Sequence, residues 1–175
     1  MSIQISMKQF LIIRHAKSSW TDYSLKDIDR PLNKRGLHDG PKMASYLKKE
    51  IKINLDLIYS SPANRALTTA KYFHKEFELN SDIDIRRDIY HADVDDLIPI
   101  INDTEEKIQT FAMFGHNPGF TYLVNHFYGN DIENLPTCGI AYFQSNANTW
   151  EEVNPDNTEL LHLLFPKKTI YWRSY

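Results

Sequence analysis

The sequence predicts a three-layer α/β/α fold, in which helices cover both faces of a mostly parallel sheet that ends in an antiparallel C-terminal hairpin. Short apolar runs alternate with amphipathic stretches along most of the 175 residues, which is typical of consecutive βαβ units. The most apolar run, Phe10-Leu11-Ile12-Ile13, is typical of a strand buried on both faces of its sheet. No helix of useful length separates the last two apolar runs, residues 140–143 and 160–165, so we expect them to pair antiparallel. Because the chain has no internal repeat or linker, residues 1–175 are expected to form one domain.

The first half of the chain is expected to add two helices and a second strand. Residues 18–31 are polar and without periodicity, which predicts a loop that lies over the strand ends. Asn33 is a candidate N-cap for a helix whose apolar side chains recur at helical spacing as far as Ile51. A second strand at residues 55–60 leads into Ser61-Pro62, and serine followed by proline predicts that the second helix begins there.

The second half is expected to add two more strand–helix pairs before the hairpin. Residues 82–85 alternate in polarity as in a short strand, and residues 94–101 have the pattern of a helix. Residues 110–114 predict another buried strand, and residues 121–127 predict the helix that follows it. Three aromatic side chains near the end are interpreted as core rather than as an interface: Tyr142, Phe143 and Trp150.

The composition indicates an ordinary soluble protein and argues against several classes. The chain is 42% hydrophobic and 25% charged, and a chain of this length can bury about 70% of its unfolded surface. A net charge of −3 provides no polybasic face for nucleic acid, and the single cysteine, Cys138, allows no intramolecular disulfide. Without a signal peptide or a run long enough to span a bilayer, we expect a cytoplasmic protein with neither a membrane nor a nucleic-acid partner.

Three segments with cationic or imidazole side chains follow three different predicted strands. Arg14-His15-Ala16-Lys17-Ser18 follows the first strand, Arg65 lies in the first turn after the second strand, and Gly115-His116-Asn117-Pro118-Gly119 follows the strand at residues 110–114. Because ligands bind at the carboxyl ends of the strands in open α/β sheets, we expect these segments to meet at one ligand-binding edge. In the third segment, Asn117-Pro118 repeats the pattern of a helix cap followed by proline. Its two glycines would let the backbone approach a ligand closely.

Together, these segments predict a phosphate site. A histidine beside an arginine can attack a phosphoryl group while the guanidinium holds its oxygens, and a helix start favours a bound anion. Taken singly, His15 and His116 would more often be structural histidines, and Arg65 would more often be a solvated charge. Three such groups at one sheet edge favour the phosphate site.

The segments resemble those of the histidine phosphatase superfamily and, within it, the short bacterial phosphohistidine phosphatases of the SixA type. The resemblance implies a phosphoglycerate mutase-like fold. Arg14-His15-Ala16 is similar to the family's Arg-His-Gly signature, with alanine in place of glycine as in the SixA-like branch. The other similar segments are Asp29-Arg30-Pro31-Leu32 with Arg35-Gly36, residues 60–69, residues 115–119 and Leu135-Pro136-Thr137-Cys138-Gly139-Ile140.

The resemblance also implies roles for four residues. His15 would be the nucleophile and would become transiently phosphorylated. Arg14, Arg65 and a protonated His116 would surround the phosphoryl group and stabilise the charge on its oxygens. Water would then hydrolyse the phosphohistidine, and this arrangement requires neither a metal nor a cofactor.

Further contacts to the substrate are expected from three residues: Ser18, Lys17 and Asn117. The Ser18 hydroxyl matches a serine that commonly follows the signature. Lys17 and Thr21 differ from the residues found there in phosphoglycerate mutase-like members, so their roles stay open.

The general acid that phosphomonoesterases of this superfamily use to protonate the leaving alkoxide has no clear counterpart in residues 87–93. Candidates are Asp88, His91 and Asp93, each of which could equally have a surface, capping or structural role. A phosphoramidate such as phosphohistidine has a better leaving group and needs less help from an acid. The sequence therefore predicts a protein phosphohistidine phosphatase, and its short loops predict an open site.

Three other functions stay open. The chain could be a phosphomonoesterase of a small phosphorylated metabolite, or a non-catalytic phosphate-binding module, although binding alone needs no nucleophile. A metal hydrolase with His15, His91 and His116 as ligands would lack any familiar ligand spacing such as His-Glu-x-x-His. The physiological substrate and the oligomeric state are not determined by the sequence.

Overall fold

Residues 7–171 are described by the computed structural model, and their strands form one mixed sheet. The six strands are β1 Lys8–Arg14, β2 Leu57–Ser60, β3 Asp84–Ile85, β4 Thr110–Gly115, β5 Ile140–Ser145 and β6 Thr158–Leu164. Within this described part, the order is β3-β2-β4-β1-β5-β6. All pairs among the first four strands are parallel, whereas β5 is antiparallel to both β1 and β6. The mostly parallel sheet and the antiparallel C-terminal hairpin are therefore confirmed.

Helices cover both faces of this sheet. The helices of the described residues are α1 Lys34–Tyr46, α2 Asn64–Phe77, α3 Val94–Asn102, α4 Gly119–Tyr128 and the short α5 Pro166–Thr169, and α1 continues as a π-helical turn at Leu47–Ile51. The first two pack on one face and α3 and α4 on the other, which confirms the three-layer fold. Within residues 7–171, none of the helices combines the length and apolar character that crossing a bilayer requires.

The apolar run in β1 supplies core to both faces. Leu11 and Ile13 belong to the cluster beneath α1 and α2, whereas Phe10 and Ile12 belong to the cluster beneath α3 and α4. All four side chains are fully buried because successive side chains of a strand point to opposite faces, and both faces are covered here. This double burial is why the run lacks the polar alternation of a half-exposed strand.

The connection between β5 and β6, residues 146–157, contributes an aromatic side chain to the core. The ring centroid of Trp150 lies 4.9 Å from that of Phe111, and its indole N–H donates to the carbonyl of Ile108 at 2.9 Å. Trp150, Tyr142 and Phe143 are all buried. The interpretation of these aromatic residues as core is therefore confirmed.

The helix starts agree with the sequence at α1 but differ at α2 and α4. Asn33 caps α1, since its side chain accepts from the main-chain N–H of Gly36 at 3.0 Å. The start expected at Ser61-Pro62 is wrong, because α2 begins at Asn64 without a side-chain cap. Asn117 is likewise not the cap of α4, because Pro118 occupies the N-cap position after a cis peptide bond.

The register of the sheet brings the three predicted segments to one edge. Arg14 of β1 lies opposite Gly115 of β4, and Phe114 of β4 lies opposite Ser60 of β2. The residues that follow these three strands therefore leave the sheet from neighbouring positions at its carboxyl edge. This edge is where open α/β sheets bind their ligands.

Replacement of Trp150 by alanine tests the C-terminal core. Trp150→Ala should lower the free energy of unfolding by about 3–5 kcal/mol, because it leaves a cavity and removes the indole hydrogen bond. Urea unfolding followed by circular dichroism measures the loss. Tyr23→Ala, at a side chain that is 90% exposed, is the control and should change the free energy by less than about 0.5 kcal/mol. A loss below about 1 kcal/mol in Trp150→Ala would contradict the packing described.

Candidate active site

The main chain after β1 is held from three sides. The N–H of His15 donates to the carbonyl of Gly115 at 3.0 Å, which continues the parallel ladder one residue beyond the strand. The N–H of Ala16 donates to the hydroxyl of Thr69 at 3.0 Å. The N–H of Cys138 donates to the carbonyl of His15 at 3.1 Å. These main-chain hydrogen bonds hold the backbone of His15 in place independently of its side chain.

The ring of His15 is buried and carries its hydrogen on one defined nitrogen. Nδ1 lies 2.7 Å from the carbonyl oxygen of Ala16, and a carbonyl can only accept, so Nδ1 is the protonated atom of the neutral ring. Burial, together with the charges of Arg65, Arg14 and Arg30, lowers the pKa of His15 to about 3, although the hydrogen bond to Ala16 opposes this shift. The ring is therefore neutral at physiological pH, with an unprotonated lone pair on Nε2.

The ring of His116 lies beside that of His15. The ring centroids are 5.1 Å apart, and His116 Nε2 is 2.8 Å from the hydroxyl oxygen of Ser61. That oxygen already accepts from the N–H of Ala63 at 3.3 Å, so its own hydrogen is free to point at Nε2. His116 Nδ1 is buried and has no hydrogen-bond partner among residues 7–171.

Burial also determines the charge of His116 in the absence of a ligand. Burial, together with the neighbouring His15 and Arg65, lowers the pKa of His116 to about 2. Without a bound phosphoryl group the ring is therefore neutral at physiological pH, and a protonated His116 in the presence of substrate stays a prediction. An anion bound against the ring would work in the opposite direction, because opposite charge stabilises the imidazolium.

Arg14 is the last residue of β1, and its side chain contacts a neighbouring loop. Its Nη1 donates to the carbonyl of Leu135 at 2.9 Å and to the side-chain oxygen of Asn134 at 3.3 Å. Its Nε is buried and has no partner among residues 7–171. Burial and the charge of Arg65 lower the pKa of Arg14, although a guanidinium keeps its charge in proteins.

Arg65 is buried in the first turn of α2 and is held by Asp27 from the polar loop. Arg65 Nη2 lies 2.9 Å from a carboxylate oxygen of Asp27, and Nη1 donates to the main-chain oxygen of Asp27 at 2.6 Å. Burial raises the pKa of the Asp27 carboxyl, but hydrogen bonds from Tyr90, Arg65 and Arg30 outweigh it and hold that pKa well below its usual value. Asp27 is therefore a carboxylate that orients Arg65.

A second buried guanidinium fastens the same loop. Arg30 donates to the other carboxylate oxygen of Asp27 at 2.8 Å and to the hydroxyl of Ser18 at 2.7 Å. Its guanidinium carbon lies 3.2 Å from the ring centroid of Trp20, as in a cation–π contact. The loop at residues 18–31 therefore lies over the strand ends, as expected. The ion pairs of Asp27 with Arg30 and Arg65 hold it there.

The three predicted substrate contacts have different surroundings. Ser18 is buried and accepts from Arg30. The amide nitrogen of Asn117 donates to Asn134 at 2.8 Å and to Leu135 at 3.1 Å, so Asn117 holds the loop that Arg14 also contacts. Lys17 is exposed.

Two of the three acid candidates are engaged elsewhere, and the third is close to the site. Asp88 pairs with Arg86 at 2.8 Å. Asp93 caps α3 by accepting from two main-chain N–H groups of its first turn. His91 is exposed, its ring centroid lies 3.9 Å from that of Tyr90, and its charge contributes to the lowered pKa of His116.

The glycines around His116 serve packing instead of ligand approach. A Cβ on Gly115 would lie 2.4 Å from the ring of Phe120, and one on Gly119 would lie 2.1 Å from the carbonyl oxygen of Ala92. Both positions require glycine because a neighbouring element occupies the space. The ligand-approach interpretation of these two glycines is therefore wrong.

The structure adds residues that the sequence analysis missed. Asp27 and Tyr90 orient Arg65, since the Tyr90 hydroxyl donates to Asp27 at 2.8 Å, and Ser61 contacts His116. The sequence signal that could have identified Asp27 is its position three residues before Arg30. Within residues 7–171, no group of three or more histidine, cysteine, aspartate or glutamate side chains could hold a metal ion.

Two comparisons of sequence identify the family. A sequence model of the histidine phosphatase superfamily (branch 1) matches residues 10–97, half of the chain, including Arg14, His15 and Arg65. An uncharacterised chloroplastic protein of Arabidopsis thaliana is 31% identical over 177 residues, which cover 94% of this chain and 80% of that relative.

Comparison with solved structures identifies the fold. A protein of Agrobacterium tumefaciens assigned as the phosphohistidine phosphatase SixA has a TM-score of 0.77 and 24% identity, over 91% of this chain and 98% of that one. The protein histidine phosphatase SixA in complex with tungstate has a TM-score of 0.76 and 22% identity, with the same coverage of 91% and 98%. These likenesses confirm the phosphoglycerate mutase-like fold. Together with the sequence comparisons and the geometry at the carboxyl edge, they show that this chain belongs to the histidine phosphatase superfamily (branch 1) and is a phosphatase.

Proposed function

We propose that this phosphatase acts through a covalent phosphohistidine on Nε2 of His15 and that its substrate is the phosphohistidine of a protein. The observation that carries the proposal is the hydrogen bond from His15 Nδ1 to the carbonyl of Ala16, at 2.7 Å. It leaves Nε2 with a free lone pair beside the Arg14 and Arg65 guanidiniums. A neutral imidazole in this position is a nucleophile at physiological pH.

The phosphoryl group would be bound by groups that have polar hydrogens to spare. Arg14 Nε and His116 Nδ1 are buried without partners among residues 7–171. Buried polar groups are rarely left unsatisfied, so a bound oxyanion that accepts from both is consistent with their burial. Its negative charge would raise the pKa of His116, so substrate binding is expected to be accompanied by protonation of that ring.

The chemistry balances without a protein acid when the substrate is phosphohistidine. His15 Nε2 attacks phosphorus, and the bond from phosphorus to the substrate nitrogen breaks. If the other ring nitrogen of the substrate is protonated, the leaving group departs as neutral imidazole. A phosphate ester would instead release an alkoxide that needs a proton from an acid.

The same hydrogen bond to Ala16 also favours the second step. Because Nδ1 keeps its hydrogen, phosphorylation of Nε2 produces a cationic ring. Water attacks phosphorus, the bond from phosphorus to Nε2 breaks, and the electron pair returns to a neutral His15. Both hydrogens of the water leave with the phosphate. The Ala16 carbonyl thus makes His15 first a nucleophile and then a good leaving group.

The surroundings of the carboxylates support a phosphoramidate substrate. Asp27 is held as an anion by three donors, Asp88 is paired with Arg86, and Asp93 caps a helix. Each of these three carboxylates is therefore already engaged in an ion pair or in hydrogen bonds within the protein. The proposed partner is a phosphohistidine-bearing protein domain, and the proposal retains the cytoplasmic location predicted from the sequence.

A phosphomonoesterase of a small metabolite is the second candidate, and His91 is the observation that favours it. This exposed histidine is close enough to affect the pKa of His116 and could supply the proton that an alkoxide needs. A non-catalytic module is disfavoured by the neutral, oriented ring of His15.

Replacement of the nucleophile tests the covalent intermediate. His15→Ala should abolish turnover, and mass spectrometry after an acid-free quench should detect a phosphoryl group on His15 of the wild type but not in the variant. His126→Ala, at an exposed histidine on α4, is the matched control and should keep wild-type turnover. Near-normal turnover by His15→Ala would contradict the mechanism.

The protonation of the two rings can be measured directly. With folded-state pKa values of about 3 and about 2, His15 and His116 should stay neutral from pH 8 to pH 5 in NMR titrations. In the unfolded chain they should titrate near 6.5. The unfolded state therefore binds more protons below about pH 6.5, and the stability of the protein should fall as the pH is lowered from there towards 3.

Added inorganic phosphate provides the second part of this test. It should raise the pKa of His116, because the dianion stabilises the imidazolium. Midpoints near 6.5 for both rings in the folded protein would contradict the electrostatics described.

Substrate preference separates the two candidate functions. A phosphohistidine protein should be hydrolysed with a kcat/KM at least about 100-fold above that of a phosphoserine peptide or sugar phosphates, the size of a typical acid-catalysis contribution. His91→Ala should leave phosphohistidine hydrolysis within about twofold. A preference for sugar phosphates that is lost in His91→Ala would instead identify a phosphomonoesterase.

A further inference from the structure

A cationic cleft of about 730 Å³ opens beside the candidate active site. It shares Arg14 with that site and extends to the segment where β6 ends and α5 begins. Five cationic side chains line it: Arg14, Lys17, Arg35, Lys167 and Lys168. One carboxylate, that of Glu133, stands against them in the lining. Because the whole chain carries a net charge of −3, this cleft is a local concentration of positive charge.

One wall of the cleft is the loop at residues 132–137, which is fixed to the active site. Arg14 Nη1 and the amide of Asn117 both donate to the carbonyl of Leu135, at 2.9 Å and 3.1 Å. The N–H of Leu135 donates to the hydroxyl of Thr121 at 3.0 Å. The wall is therefore positioned by the same arginine that borders the phosphoryl site.

The opposite wall is fixed by a buried carboxylate. Asp39, which is 1% exposed, accepts from Arg35 and from the hydroxyl of Tyr171. The ring of Tyr171 also stacks on that of His38, with centroids 5.4 Å apart. The contacts of Tyr171 with Asp39 and His38 hold the segment that follows α5 against α1, and the same Asp39 orients Arg35.

The lysines of the cleft have charge available for a ligand. Lys17, Lys167 and Lys168 are exposed, and none of them forms an ion pair within residues 7–171. The amine of Lys168 lies 6.0 Å from the centroid of the Phe165 ring, at the edge of cation–π range. These lysines are therefore free to bind carboxylates.

The remaining lining of the cleft is largely apolar. The apolar members are Ile132, Pro136, Leu163, Phe165 and Pro166. A small polyanion would satisfy the lysines but leave this surface uncovered, whereas a peptide segment with both acidic and apolar side chains would cover both. The cleft thus combines the two features of a docking surface for such a segment.

We propose that the cleft binds an acidic, partly apolar segment that flanks the phosphohistidine of the protein substrate. The proposal rests on the proposed phosphohistidine phosphatase function and adds the feature by which the enzyme selects its partner. Since Arg14 borders both sites, the acidic segment lies close in sequence or in space to the phosphorylated ring. Its charge would also speed encounter with the enzyme.

Two phosphohistidine peptides of equal length test the proposal, one with alternating Glu and Leu flanks and one with Gln in place of Glu. At low ionic strength, the wild type should have a roughly tenfold lower KM for the acidic peptide, with similar kcat. The double variant Lys167→Glu/Lys168→Glu should lose this preference. Raising the salt concentration should weaken the preference in the wild type.

The matched control has the same change in net charge at a different place. Lys52→Glu/Lys71→Glu alters two exposed lysines that do not line the cleft, and the preference should persist in it. Equal KM values for both peptides in the wild type, or a preference that survives in Lys167→Glu/Lys168→Glu, would overturn the proposal. The proposal would also be overturned, in favour of a metabolite subsite, if changing Lys167 and Lys168 altered the KM for a small bisphosphate but not the KM for the acidic peptide.

Binding to the inactive enzyme separates failure of this proposal from failure of the proposed function. Fluorescence anisotropy measures the affinity of His15→Ala for each phosphohistidine peptide, with and without the two lysine changes. Lysine-dependent binding of the acidic peptide without hydrolysis by the wild type would refute the phosphatase specificity and leave the docking cleft intact. Hydrolysis with equal affinity for both peptides would refute the docking cleft alone.

Discussion

Parallel pairing between β1 and β4 places Arg14 opposite Gly115, and the hydrogen bond from the His15 N–H to the Gly115 carbonyl extends that pairing past the strand. The rest of the site depends on this register. It places His15 and His116 at the ends of neighbouring strands, so their ring centroids lie 5.1 Å apart. A shift of one residue would turn every β1 side chain to the other face, where the close-packed neighbours of Phe10 and Ile12 differ from those of Leu11 and Ile13 and would not fit the exchanged side chains.

Burial decides the electrostatics at this edge. Two imidazoles are surrounded by guanidiniums and removed from water, so both rings are neutral, with pKa values of about 3 and about 2. The positive potential then comes from the arginines, while the histidines supply a lone pair and a polar hydrogen. In the proposed function, a bound phosphoryl dianion would balance this charge and raise the pKa of His116, so that the ring takes up a proton from water.

Asp27 links the polar loop to the chemistry. One carboxylate accepts from Arg65, Arg30 and Tyr90, which come from a helix, the loop itself and the segment after β3. A buried guanidinium without such a partner would be costly, so the loop and the arginines stabilise each other. The outer side of the same edge carries the cationic cleft, and Arg14 connects the two sites.

The sequence by itself determined the layers, the order of strand and helix, and the identity of His15, Arg14, Arg65 and His116 as the groups at one sheet edge. These features follow from local patterns of burial and from strand ends, which a single chain displays. Only the tertiary structure decided the starts of α2 and α4, the packing role of Gly115 and Gly119, the neutral state of His116 and the role of Asp27. Ser61 contacts His116, Asn117 contacts Asn134 and Asp27 contacts Tyr90, and these partners lie 55, 17 and 63 positions away in the sequence. Hydrogen bonds and pKa values depend on which distant groups the fold brings into contact, and no local pattern records those contacts.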